Sequence, residues 1–100
     1  MFIISEAQIK SLKDRLNIPE ERDACIEEVR KMLEIKSGLL WRADVAWCCV
    51  GTDMCNYLDA EVRTLEDILI ALEKGNIVGG LLMLDAYESM FCKYSRPDLF

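Results

Sequence analysis

Five cysteines and several closely spaced carboxylates are the residues of this chain whose types could do chemistry. Cys48, Cys49 and Cys55 cluster in sequence, while Cys25 and Cys92 stand apart. A structural zinc site needs four ligands, usually supplied by C-x₂₋₄-C or equivalent histidine pairs, and neither spacing occurs here. On a helix Cys48 and Cys55 share a face and Cys49 is turned about 100° away. Small buried hydrophobes are the reading that spacing supports. Glu27, Glu28, Glu61 and Asp67 suggest a carboxylate pair or a di-metal site. The di-metal pattern of helical bundles needs Glu-x-x-His, and the chain has no histidine. The same lack removes the commonest general base, the usual activator of a cysteine nucleophile and the usual switch near neutral pH. No phosphate-cradling G-x-x-x-x-G-K-[ST] or G-x-G-x-x-G sequence is present. The expectation is a protein that is not an enzyme, with no metal and no cofactor.

Acid-rich stretches and tryptophans carry the stronger signal. From Glu20 to Glu28 there are five acids and one arginine, and from Asp53 to Glu73 six acids and one arginine. Exposed rows of acids solubilise, and they also steer basic partners to a surface. Glu20, Glu21, Asp23, Glu27, Asp59, Glu61, Glu66 and Asp67 are therefore candidate partner-binding residues, on faces expected to meet solvent. Trp41 and Trp47 are six apart, so one helix cannot turn both toward the same core. One of them should be exposed, unless the chain bends between them. Trp41 and the adjacent Arg42 join the candidate set, because tryptophan and arginine are enriched at interface hot spots.

These residues must be positioned by helices. The element to which the others are fitted runs from Trp47 to about Lys74. Trp47, Val50, Met54, Leu58, Val62, Leu65, Leu69 and Leu72 recur every three or four residues and form one apolar stripe. Asp53, Asp59, Glu61, Arg63, Glu66, Asp67 and Glu73 fall on the other face. A first helix is announced by the capping box Ser5-Glu6-Ala7-Gln8, with Ile4 and Ile9 at hydrophobic-staple spacing. Its stripe is Ile9, Leu12 and Leu16, with Lys10, Lys13 and Arg15 outward. Met1–Ile4 has the alternative of a short strand. Asn17-Ile18-Pro19 ends that helix and starts a second, whose apolar face is Cys25/Ile26, Val29 and Met32/Leu33 and whose stop is Ser37-Gly38. Leu39–Val50 is open between a separate short helix, the first turns of the central helix and a buried strand, with a break expected at Gly51-Thr52-Asp53. Gly75-Asn76 ends the central helix and caps a last one reaching about Tyr94, with a strand over Ile77–Leu84 as the alternative. The fold class is all-α, a compact bundle of four or five helices around a central amphipathic helix, in a single domain over 1–100.

Composition sets the partner class. The chain has 100 residues, 52 % hydrophobic and 30 % charged, with a formal net charge of −6. That mixture folds, and it carries more apolar residues than one small core needs, which a homodimer or a heteromeric contact would bury. The acid excess argues against direct binding of nucleic acid or an anionic membrane and for a basic protein partner. The longest uncharged apolar run, Ile77–Leu84, is far short of a membrane span. An odd cysteine count with no leader-like N-terminus places the chain in the cytoplasm with reduced thiols.

Two functional expectations follow. The first is a non-enzymatic inhibitor or adaptor that docks on a basic, nucleic-acid-binding or other, protein through acidic helix faces. Bacteriocin immunity proteins, antitoxins and phage-encoded inhibitors of host defence share size, charge and helicity with it, an analogy of class that no motif carries. The second is a structural or oligomerisation module, a helical homodimer or a subunit built through Trp41 and Leu39/Leu40.

Overall fold

The computed structural model describes residues 4–47 and 53–93. Among the described residues it contains four α-helices and no strand. The first, α1 (Glu6–Leu16), starts at the capping box read from the sequence. The Ser5 hydroxyl accepts from the Gln8 amide at 3.2 Å, and the Gln8 side chain accepts from the Ser5 amide at 2.8 Å. Ile4, Ile9, Leu12 and Leu16 are all buried in the core.

A 3₁₀ turn at Pro19–Glu21 leads into α2 (Arg22–Trp47). Its expected end at Ser37-Gly38 is not observed. The helix passes through Gly38, which is exposed and whose position would leave an added Cβ in open space. One exposed glycine costs a helix about 1 kcal/mol. That is too little to stop a helix, and the next residues, Leu39 and Leu40, are half-buried. The stretch left open, up to Trp47, is therefore the end of α2. Trp47 does not begin the central helix.

The central helix is α3 (Asp53–Glu73). The expected break at Gly51-Thr52 lies outside the described residues, and helix resumes at Asp53. Leu58, Val62, Leu65 and Leu72 are buried as the stripe requires, and Ile68 joins them. α3 closes with a Schellman arrangement. The Gly75 amide donates to the Leu72 carbonyl at 3.0 Å and the Asn76 amide to the Ala71 carbonyl at 2.9 Å. Gly75 makes this possible with φ +81°, the left-handed region that favours glycine.

Asn76 then caps α4 (Ile77–Tyr87), its side-chain oxygen accepting from the Gly79 amide at 3.0 Å. The strand alternative for this stretch is thereby replaced by helix. The helix does not run regularly to Tyr94. It passes into a π-helical turn, Glu88–Lys93, and Tyr94 lies outside the described residues.

α3 packs against α2 on one side and α4 on the other, while α1 lies across α2 and α4. α2 and α3 are antiparallel, since Arg30 reaches Glu73 and Lys36 reaches Glu61. α3 and α4 approach closely at Gly80, where a Cβ would sit 2.5 Å from Leu72 Cδ2. Edge-on and tilted ring contacts of Phe91 with Tyr57 and Tyr87 fill the end of the core near the π-helical turn.

Candidate docking cleft

The groove between α2 and α3 is where sequence candidates converge. Trp41 on α2 faces Asp59, Val62, Arg63 and Glu66 on α3 across a cleft of about 540 Å³. The indole is 66 % exposed, large for a tryptophan. Leu40 and Val62 give the cleft an apolar floor, and the carboxylates of Asp59 and Glu66 line its rim. Asp59 is met by Arg63 Nε at 3.1 Å, one turn along the same helix.

The helices are held in this register from below. Lys36 and Glu61 lie one residue from the cleft walls Ser37 and Val62, and both side chains are almost wholly buried. Lys36 Nζ stands 3.3 Å from Glu61 Oε1. The Tyr87 hydroxyl donates to Glu61 Oε2. Burial, and then the neighbouring Glu61 carboxylate, pushes the Tyr87 phenol well above its usual range. One buried polar cluster thus joins α2, α3 and α4.

Glu61 is the clear departure from the sequence expectation. The sequence puts it on a solvent face with the other acids, yet it is 3 % exposed. The helical period places it between buried Leu58 and Leu65, and Lys36 supplies the countercharge that makes burial tolerable. Lys36 comes from α2, and no periodicity argument from α3 alone pairs the two. The apparent signal was a charge on an otherwise apolar helix face, at Lys36 beside Met32 and Leu33.

The remaining candidates divide into separate regions. Glu20 and Glu21 sit in the 3₁₀ turn before α2, Asp23 lies in its first turn, and Glu27 pairs with Arg30. Asp23 and Trp41 are 18 residues apart on one helix, about 27 Å at 1.5 Å per residue. Asp67 is exposed on α3 but does not line the cleft. Arg42 follows Trp41 on α2, and its side chain lies outside the described residues. The locally basic face of α1 is also partly spent: Lys13 bridges Asp85 at 2.7 Å and Glu88 at 3.3 Å, and Arg15 pairs with Glu28.

The cysteines show no shared site among the described residues. Cys25 is buried and Cys92 half-buried, both as free thiols. Burial raises the Cys25 thiol, and burial with Glu61 and Glu88 nearby pushes Cys92 up to about 11. Cys48 and Cys49 lie outside the described residues, as does the Cys55 side chain. Among the described residues no group of His, Cys, Asp and Glu could hold a metal ion, and no helix is long and apolar enough to cross a membrane.

No protein-family model matches the sequence, and no similar curated protein or solved structure was found, so the functional reading rests on the geometry of this cleft.

Proposed function

We propose that the protein is a non-enzymatic binding protein, an inhibitor or adaptor that grips a basic protein partner through the α2–α3 cleft. The observation that carries this reading is Trp41, two-thirds exposed on a cleft wall opposite the Asp59 and Glu66 carboxylates. A large exposed aromatic beside carboxylates is the composition of an interface anchor, with apolar area at the centre and charge steering at the rim. The net charge of −6 favours basic partners over polyanions. Nucleic-acid-binding proteins are included among them. Two free thiols agree with a reducing compartment such as the cytoplasm.

The test is affinity capture of the tagged chain from its native lysate, with and without nuclease, in parallel with Trp41→Ala and Glu66→Lys. The reading requires one basic protein retained by the parent chain at low salt and lost by both variants. Equal retention by all three would refute it.

A second reading, a homomeric module, is favoured by a different surface. Val78 is 71 % exposed and Leu82 65 %, one turn apart on α4, and Met90 in the π-helical turn is also exposed. No charged residue occurs from Gly75 to Leu84. This face, rather than the expected Leu39/Leu40, is the one a second copy would cover. Sedimentation of the reduced protein as a monomer at high micromolar concentration would exclude it.

A further inference from the structure

We infer that the cleft selects an arginine side chain of its partner, and that Arg63 is an internal occupant of the carboxylate this arginine takes over. The inference rests on the docking reading above and names the chemistry that reading would recognise.

Three features of the cleft converge on a planar cation. The Trp41 indole is exposed and makes no ring or cation contact with another described residue. The exposed Glu66 carboxylate forms no ion pair among the described residues. Asp59 is the third, and its partner is Arg63, whose side chain is 75 % exposed. An ion pair between two exposed side chains one turn apart is among the weakest in proteins, so it is readily exchanged.

Arginine fits this set better than lysine does. Its guanidinium stacks on an indole face while its edge donates two parallel hydrogen bonds to a carboxylate. Its methylene stem can lie along Leu40 and Val62. A lysine ammonium is a compact, strongly hydrated point charge and cannot stack and chelate at once. The Arg63–Asp59 pair shows that one of these carboxylates already accepts a guanidinium from within the chain. Releasing Arg63 would therefore open Asp59 to the incoming side chain beside Glu66.

The experiment is an NMR titration of the full chain with two blocked peptides, tetra-arginine and tetra-lysine, following the Trp41 indole N–H assigned through Trp41→Phe. Tetra-arginine should move that signal and bind about three- to fivefold tighter than tetra-lysine, the increment of an exposed cation–π contact. Arg63→Gln should tighten tetra-arginine severalfold and Glu66→Gln should weaken it. Lys10→Gln, an equal charge change at an exposed site on α1, should leave it within about twofold, as a remote screened charge does. Equal affinity for the two peptides would overturn the inference. So would a response confined to Glu20–Asp23, or one unchanged by Arg63→Gln. If the peptides leave Trp41 unmoved while lysate capture still depends on Trp41 and Glu66, the inference fails and the docking reading stands. Capture indifferent to both residues would instead sink the docking reading.

Discussion

Lys36 and Glu61 face each other at 3.3 Å between α2 and α3, with both side chains almost entirely withdrawn from water. Such a pair contributes little net stability, because desolvation offsets the attraction, but it punishes any register that separates the two charges. Here it fixes Trp41 opposite Asp59 and Glu66. Removing one charge should be far worse than removing both. Lys36→Met is expected to cost about 3–5 kcal/mol, while Lys36→Met with Glu61→Leu should return most of that loss. Urea unfolding of the two variants measures the difference, and an equally unstable double variant would contradict it.

Close packing of α3 on α4 gives a second expectation. A methyl at Gly80 would meet Leu72 Cδ2 at 2.5 Å and Cγ at 3.1 Å. Gly80→Ala should destabilise by about 1–3 kcal/mol, the usual cost of overpacking. Gly38→Ala, in open space mid-helix, should stabilise by up to about 1 kcal/mol. Thermal melts of both variants read the opposite signs directly.

Alkaline pH supplies a third. The folded state holds the Tyr87 phenol above its ordinary 10 and the Cys92 thiol at about 11 against an ordinary 9.0. Above about pH 9 the unfolded chain therefore releases these protons before the folded chain does. The unfolded state then binds fewer protons, and stability falls as pH rises. Urea midpoints should decline from about pH 8.5 upward, with Cys92→Ser flattening the first part of the decline. Midpoints that stay level to pH 11 would show that neither group is protected.

Much of the fold was legible because the signals were local. The Ser5–Gln8 capping box, Pro19, and Gly75-Asn76 each satisfy backbone groups within a turn, and each marks a boundary found in the structure. The apolar stripe of α3 was equally local. What escaped was set by distant partners. Gly38 reads as a stop until the helix is seen to continue through it with Leu39 and Leu40 half-buried. Glu61 reads as a surface acid until Lys36, from another helix, is placed against it. The cleft was half legible: Trp41, Asp59 and Glu66 were each singled out, but only the antiparallel pairing of α2 and α3 joins them and leaves Glu20, Glu21 and Asp23 far away.

The separation of those two acidic regions permits a charge-matched comparison. Asp59→Lys with Glu66→Lys and Glu21→Lys with Asp23→Lys change net charge equally, one at the cleft and one about 27 Å along α2. Affinity of each double variant for the captured partner, measured across a salt series, tests the central claim most directly. The account predicts a loss of tenfold or more for the cleft variant and about twofold or less for the remote one, as screening at physiological salt requires. Equal losses for the two would show that diffuse charge, and not the Trp41 cleft, holds the partner.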